Sequence, residues 1–236
     1  MTPPLRIGVV VFPDMTLLDA TGPLQVFAAI PVFAPAPGVE LHVIGATLEP
    51  VPTDAVLTVA PTTTFADCPP LDILCVPGGP GVDAILDDPA TIDFVRRQGA
   101  GARWITSVCT GALVLGAAGL LDGYRAATHW AAMGFLEDFG AVPTDERVVI
   151  DRDRVTGGGV TAGLDFALTL VAELLGRAVA EAIQLRIEYL PEPPFAAGSP
   201  RTAPPEVVAD YRQLTVPMQT RRRDAVARAV ALLAHR

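Results

Sequence analysis

Residues 104–112 read Trp-Ile-Thr-Ser-Val-Cys-Thr-Gly-Ala, and Leu-Val-Leu-Gly-Ala-Ala continues as residues 113–118. The first five, Trp104–Val108, predict a buried strand, and the apolar residues after Cys109 predict a helix that begins without a linker. Cys109 therefore lies where a strand turns directly into a helix. A side chain at such a turn stands at the carboxyl edge of a sheet, often on strained backbone and exposed to a ligand crevice.

This position predicts that the Cys109 thiol is a nucleophile. Free N–H groups and positive potential at a helix N-terminus lower a thiol's pKa and raise its thiolate fraction. The amide of Thr110 is suited to stabilise negative charge that develops on a substrate. A free cysteine is usually a small buried hydrophobe, which remains the alternative for Cys109 and is our interpretation of Cys75. Cys68, beside two prolines, is interpreted as a loop thiol without a partner.

Apolar and β-branched runs alternate with helical patterns on both sides of this turn, which predicts an α/β fold with a mainly parallel sheet. Strands are expected at Leu5–Phe12, Val39–Ile44, Ile73–Val76, Trp104–Val108 and Arg125–Thr128, with strand pairs at Val148–Ile150 and Arg154–Thr156 and short strands or a hairpin within 51–64. Helices are expected at Leu17–Ile30, Asp83–Leu86, Pro89–Gln98, Ala131–Phe139, Gly163–Leu175 and Arg177–Tyr189.

Together these elements predict one domain for residues 1–236 with a core of about 5–190. Residues 191–236 add an irregular Pro-rich segment, Pro191–Pro205, and a last helix over roughly Met218–Ala234. The Pro-rich segment is expected to wrap the surface or a partner.

Composition narrows the class of protein. Half of the residues are hydrophobic, 18% are charged and the net charge is -9, so we expect a globular chain that binds neither nucleic acid nor an anionic membrane. The basic run at 221–223 is interpreted as a solvated helix face. The N-terminal apolar run is too short for a membrane span, and no small-residue cleavage site follows it, so we interpret it as a strand and not as a signal peptide. Three cysteines without C-x-x-C spacing predict neither disulfides nor a metal site. Free cysteines of this kind favour a cytoplasmic location.

Three further segments contain candidate functional residues. Gly78 and Gly79, in the turn after a buried strand, could offer backbone N–H groups opposite Thr110 and complete an oxyanion site. Asp19 lies among apolar residues after the first strand, where burial would suit it to exchange a proton; a helix cap or first-turn acid is the alternative. His129, at a strand end, either lines the crevice or is a packed residue.

The Gly-rich run 157–159 is a weaker signal. It lacks the lysine of a phosphate-binding loop and the glycine spacing of a dinucleotide fold. We interpret it as a tight strand-to-helix connection at the edge of the pocket, with Asp165 as a cap or first-turn acid.

Taken together, these segments resemble the ThiJ/PfpI family of the class I glutamine amidotransferase-like superfamily. The resemblance rests on Val9–Pro13 with Asp19 and Gly22-Pro23, then on Val76–Gly79, Ser107–Ala112, Thr128–Trp130 and Thr156–Gly159. It implies a three-layer α/β/α flavodoxin-like sandwich with a nucleophile elbow, a homodimer, and a nucleophilic cysteine with an acidic partner.

The later segments Tyr189–Phe195 and Gly198–Pro200 are similar to the isonitrile hydratase branch of this family. In that branch the critical residues are an Asp, the elbow Cys and the Thr after it, which correspond to Asp19, Cys109 and Thr110. PfpI-type proteases carry His after the Cys, so Thr110 argues against proteolysis. The implied reaction adds water to a small isonitrile through a Cys109 thioimidate, with Asp19 as acid and base and no cofactor or metal.

Three alternatives remain open from the sequence. A different hydratase, amidase or deglycase of the superfamily could use the same cysteine and carboxylate. A non-catalytic ligand-sensing domain of AraC-type regulators would be expected to continue into helix-turn-helix units, whereas we expect a single C-terminal helix here. A redox sensor would oxidise Cys109 without turnover.

Overall fold

The computed structural model describes residues 3–36 and 38–235. Eleven strands occur in these residues: β1 (Leu5–Val10), β2 (Val39–Gly45), β3 (Val51–Pro52), β4 (Thr58–Val59), β5 (Thr63–Thr64), β6 (Ile73–Val76), β7 (Trp104–Val108), β8 (Arg125–Ala126), β9 (Val142–Pro143), β10 (Val148–Asp151) and β11 (Arg154–Gly157). Eight α-helices lie between or after them: α1 (Leu17–Ala28), α2 (Ile30–Phe33), α3 (Val82–Ile85), α4 (Pro89–Gly99), α5 (Gly111–Ala117), α6 (Ala162–Leu175), α7 (Arg177–Arg186) and α8 (Pro205–Ala234).

Seven strands form the central sheet in the order β10-β11-β7-β6-β1-β2-β5. Every neighbouring pair is parallel except β10 and β11, which are antiparallel. Strand β6, Ile-Leu-Cys-Val, is buried along its whole length, as expected for a central strand of a parallel sheet covered on both faces. Cys75 is fully buried within it, which confirms its interpretation as a core residue.

The strand order places a ligand crevice at a definite edge of the sheet. The chain runs from β1 outward to β2 and β5 on one side, then returns to β6 on the other side of β1. The loops after β1 and β6 therefore diverge, and such a divergence leaves a crevice at the carboxyl ends of the strands. Strand β7 neighbours β6, so residue 109 follows directly at the same edge.

Helices cover both faces of the sheet. Helices α1, α6, α7 and α2 pack against one another, and α3, α4, α5 and α8 form the second group. This arrangement confirms the three-layer α/β/α sandwich expected from the resemblance. Within residues 3–36 and 38–235, no helix is both long enough and apolar enough to span a lipid bilayer.

The C-terminal helix differs most from its prediction. Helix α8 has 30 residues and begins at Pro205 instead of near Met218. Pro217 is typical of a helix boundary, but here it lies inside the helix. An interior proline costs about 3 kcal/mol, and the burial of Ala225, Val226 and Ala229 fixes the far end of the same helix against the domain.

The helix expected at Ala131–Phe139 is also different. The structure has two short 3-10 helices, Trp130–Phe135 and Glu137–Phe139. Their backbone N–H groups bond three residues back, as from Leu136 to Met133 and from Phe139 to Leu136. Glycine in the middle of the segment has a low helix propensity, and Gly140 ends it with a φ of 74°.

Candidate active site

Three chain segments meet at the carboxyl edge of the sheet. Cys109 follows β7, the turn at 77–81 follows β6, and Asp19 lies in the first turn of α1 after β1. Because β7, β6 and β1 are adjacent, the three segments are neighbours in space. The structure therefore brings the predicted site residues Cys109, Thr110, Asp19, Gly78 and Gly79 together.

The backbone of Cys109 is left-handed, with a φ of 53°. This region costs a residue with a side chain about 1–2 kcal/mol. Two hydrogen bonds hold the turn in place: the Cys109 N–H donates to the Gly157 carbonyl at 3.0 Å, and the Thr128 hydroxyl donates to the Cys109 carbonyl at 2.8 Å. Gly111 leaves room for the turn, because a Cβ there would collide with the carbonyl oxygens of Val76 and Pro77.

The Cys109 side chain is more enclosed than the sequence predicted, with an exposed fraction of 5%. Burial and the nearby Asp19 charge raise the thiol pKa to about 12, although Thr110 and Arg222 act in the opposite direction. The expectation of a lowered pKa is therefore wrong. Removing the thiolate from water outweighs the stabilisation that the amide and hydroxyl of Thr110 provide.

Asp19 is fully buried, and its Oδ2 accepts a hydrogen bond from the Gly78 N–H at 2.9 Å. Its Oδ1 has no hydrogen-bond partner among residues 3–36 and 38–235. Burial raises the pKa of the carboxyl from 3.8 to about 7, while the Gly78 amide and the neighbouring Cys109 thiol partly lower it. Asp19 therefore combines the two alternatives from the sequence: it lies in the first turn of a helix, and it is a buried acid that ionises near neutral pH.

The cap of helix α1 comes from a different residue, Asp54. Its carboxylate accepts hydrogen bonds from the Thr16 hydroxyl at 2.7 Å and from the Leu17 N–H at 3.1 Å. Asp54 is also close enough to Asp19 to raise the pKa of that carboxyl. Sequence reasoning missed Asp54, because it lies in the connection between β3 and β4 and reaches α1 only in the folded chain.

The turn after β6 supports the other two segments. The Gly78 N–H is bonded to Asp19, and the Gly79 N–H donates to the Thr110 hydroxyl oxygen at 2.9 Å. The prediction that these amides offer free donors to an oxyanion is therefore corrected: both are engaged within the protein. Gly79 has a φ of 127°, a region that requires glycine, and this conformation directs its amide to Thr110.

The family model for DJ-1/PfpI proteins matches residues 5–173. The chain belongs to the DJ-1/PfpI family. It is 50% identical over 229 residues to the isonitrile hydratase of Pseudomonas putida, an alignment that covers 97% of this chain and 98% of that protein. Its structure is similar to the crystal structure of a ThiJ/PfpI family protein from Pseudomonas syringae, with a TM-score of 0.90, 44% identity, and coverage of 95% of this chain and 91% of that one. A DJ-1 superfamily protein from Salmonella typhimurium is more distant, with a TM-score of 0.70, 26% identity, and coverage of 79% and 99%.

A cleft adjoins the site of this DJ-1/PfpI protein. Its volume is about 460 Å³, and His129 lines it together with Thr128, Trp130, Gly158 and Gly159. His129 also accepts a hydrogen bond on Nδ1 from the Ala131 N–H at 3.3 Å, so it caps the 3-10 helix. Burial and the nearby Arg222 lower the pKa of its imidazole. His129 thus lines the crevice and has a structural hydrogen bond as well.

Asp165 lies in the first turn of helix α6, one of the two positions expected for it. Its Oδ2 accepts hydrogen bonds from Arg147 at 2.6 Å and from the Tyr189 hydroxyl at 2.9 Å. These bonds fasten the segment after α7 beside the cleft. In the described part of the chain, no group of three or more His, Cys, Asp or Glu side chains is arranged to hold a metal ion.

Helix α8, which lies beyond the family match, adds two residues that sequence reasoning missed. Arg222 is 4% exposed, whereas Arg221 and Arg223 are exposed, so the interpretation of this run as a solvated face is wrong for its middle member. Tyr211 interacts electrostatically with Cys109, and its ring lies 5.0 Å from that of Trp130. The available signal for Arg222 was its position three, four and seven residues before the apolar Ala225, Val226 and Ala229, because residues at these spacings share one face of a helix.

Proposed function

We propose that the protein is an isonitrile hydratase that adds water to a small isonitrile and releases an N-substituted formamide. The observation that carries the proposal is the thiol of Cys109, on strained backbone, beside a buried Asp19 with a free Oδ1. The 50% identity to the Pseudomonas putida enzyme over nearly the whole chain supports the choice of substrate.

In this proposal the working state holds a single proton between the two side chains. Asp19 ionises near pH 7, and its charge then opposes loss of the Cys109 proton. A carboxylate beside a thiol and a carboxylic acid beside a thiolate differ only in the position of that proton. The pair therefore presents an acid and a nucleophile at the same time.

An isonitrile requires both functions, because its terminal carbon resists nucleophiles until it is protonated. Asp19 Oδ1 donates the proton to that carbon while the Cys109 sulfur bonds to it, and a thioimidate results. The ionised Asp19 then takes a proton from water, whose oxygen adds to the same carbon, and passes this proton to the nitrogen. The carbon–sulfur bond breaks, the hydroxyl proton returns to the Asp19–Cys109 pair, and the formamide leaves.

Thr110 has a supporting role in the same scheme. Its backbone N–H and its hydroxyl interact with the Cys109 sulfur and favour the thiolate. The hydroxyl oxygen also accepts the hydrogen bond from Gly79, which fixes its position. Gly78 and Gly79 thereby act as positioning residues for Asp19 and Thr110.

The side group of the isonitrile is proposed to lie in the cleft beside His129. Trp130 lines this cleft as well as a neighbouring cavity of about 210 Å³ that includes Tyr211. The aromatic and aliphatic lining of the neighbouring cavity favours an apolar side group, whereas the cleft beside His129 also has charged walls from Asp145, Glu146, Arg147 and Arg201. Mass spectrometry of the protein incubated with alkyl and aryl isonitriles tests the function: formamide should accumulate with turnover, and its absence across the panel would refute the proposal.

The pH dependence of hydration is expected to show a rising limb with an apparent pKa of about 7. Below this pH Asp19 and Cys109 are both protonated, so the substrate meets no nucleophile; above it one proton remains in the pair. At two pH units below the midpoint, kcat/KM is expected to be about 100-fold below its plateau. Initial rates between pH 5 and 9 measure the limb, and rates that fall from pH 6 to 8 would contradict the scheme.

We also propose that the enzyme is a cytoplasmic homodimer. The family resemblance implies the dimer. The large apolar side chains Leu185, Leu190 and Phe195, at the end of α7 and just after it, are exposed and so are available for an interface. Light scattering of the purified protein tests the dimer, and a monomeric mass would exclude it.

A further inference from the structure

Arg222 is a buried cation at the edge of the site. Its Nε donates to Asp83 Oδ1 at 2.7 Å, and its second guanidinium nitrogen, Nη2, donates to the Gly79 carbonyl at 3.2 Å. Asp83 belongs to α3, which begins directly after the Gly-rich turn. A buried arginine needs both a counter-charge and hydrogen-bond acceptors; here Asp83, in the helix after the turn, supplies the charge, and Gly79, within the turn, supplies a carbonyl oxygen.

We propose that Arg222 is a positioning residue of the active site. It holds the Gly78–Gly79 turn so that Asp19 and Thr110 keep their positions beside Cys109. The hydrogen bonds form a continuous series. Arg222 bonds to the Gly79 carbonyl, the Gly79 N–H bonds to Thr110, and the preceding Gly78 N–H bonds to Asp19. Both residues beside the thiol are therefore fixed by one turn, and α8 holds that turn from outside.

The charge of Arg222 acts on the same group of side chains. The ionisable residues that act electrostatically on Cys109 are Asp19 from α1 and Tyr211 and Arg222 from α8. Arg222 lowers the pKa of Cys109, Tyr211 and His129. As the one permanent cation of this group, it partly offsets the repulsion that Asp19 exerts on the thiolate.

The same helix contains a matched control. Arg228 bonds to Asp87 through Nε at 2.9 Å and through Nη2 at 2.7 Å. This pair also joins α8 to the end of the α3 segment, but the Arg228 side chain is 56% exposed. Removing it weakens the docking of α8 without changing any hydrogen bond to the turn.

The decisive measurement follows the ionisation of Asp19 through the amide of Gly78, its hydrogen-bond donor. NMR of protein labelled with 15N-glycine gives the Gly78 titration midpoint, and the signal is recognised because Asp19→Asn abolishes its titration. We expect Arg222→Met to raise the midpoint by about one pH unit, because a displaced turn weakens the Gly78 hydrogen bond, which together with Cys109 favours the Asp19 carboxylate against burial and the charge of Asp54. Arg228→Met is expected to keep the wild-type midpoint. Arg222→Lys, whose ammonium group can still donate to Asp83 or the Gly79 carbonyl, is expected to show a smaller shift than Arg222→Met.

A wild-type midpoint in folded Arg222→Met would overturn the proposal, as would an equal shift in Arg228→Met. If Arg222→Met does not fold, Arg222→Lys and Arg228→Lys replace the two methionine variants. The Gly78 midpoint is then expected to shift by a smaller amount in Arg222→Lys and not at all in Arg228→Lys. In the hydration assay, kcat of Arg222→Met is expected to fall at least tenfold with little change in KM. The importance of the turn for turnover rests on the proposed function, but the NMR midpoint does not: a shift in a protein that hydrates no isonitrile would refute only the function.

Discussion

Replacing Cys109 with alanine is expected to abolish isonitrile hydration, with a loss of at least about 1000-fold in kcat. Without the sulfur no covalent intermediate forms, because the scheme contains no other nucleophile. The fold should remain, since alanine fits the space of the buried thiol and keeps the hydrogen bonds that the Cys109 backbone makes to Gly157 and Thr128. Formamide production by the purified variant is the measurement.

Cys68→Ala is the control for this substitution. Cys68 is a free, half-buried thiol outside the site, and its variant is expected to hydrate isonitriles at the wild-type rate. Mass spectrometry of the wild-type protein quenched during turnover adds a direct observation: the mass of one isonitrile should be found on Cys109. Turnover by folded Cys109→Ala, or a modified Cys68 with Cys109 intact, would refute the nucleophile assignment.

Asp19→Asn is the second substitution with a large expected effect: it should lower the activity and raise the stability of the fold. Asparagine still accepts the Gly78 hydrogen bond but cannot exchange a proton, so kcat is expected to fall by about 100- to 10,000-fold. The same substitution removes a buried carboxyl with a raised pKa and should stabilise the fold at neutral pH. Hydration rates and thermal unfolding of the one variant measure both effects.

The sign of the stability effect follows from the pKa of about 7 in the folded protein and 3.8 outside it. Between these two values the folded state keeps a proton that the unfolded chain has lost, so the free energy of unfolding falls as the pH rises. The destabilisation that results from burying the ionised Asp19 is fully present above about pH 7 and absent below about pH 4. At about 1.4 kcal/mol per pH unit, it amounts to about 4 kcal/mol.

The expected pattern is therefore a pH-dependent difference between Asp19→Asn and the wild type. The free energy of unfolding of the variant should exceed that of the wild type by several kcal/mol more at pH 8 than at pH 4. Asp165→Asn changes the corresponding first-turn acid of α6, which contacts Arg147 beside the cleft instead of the thiol, so its kcat should fall far less than that of Asp19→Asn. A constant difference across this pH range would mean that the pKa of Asp19 is not raised in the folded protein.

Local signals were sufficient for much of the fold. Strong apolar runs separated by helical patterns identified the parallel sheet and most of the helices, because strand and helix periodicity are properties of neighbouring residues. The same reasoning failed at α8, where Pro217 indicated a boundary. Whether a helix continues through a proline depends on what the rest of the helix buries, and that information is not local.

By itself, the sequence determined where Cys109 lies, because a strand followed without a linker by an apolar helix leaves only a sharp turn between them. It also predicted that the Gly78–Gly79 turn lies opposite Thr110, since parallel strands bring their carboxyl ends to one edge, whereas the pairing of Asp19 with Cys109 was an expectation from the family resemblance. Only the tertiary structure decided the ionisation of the site and the place of Arg222 within it. Both depend on burial and on charges from distant segments, and a pKa or a buried ion pair is set by everything that surrounds it in space.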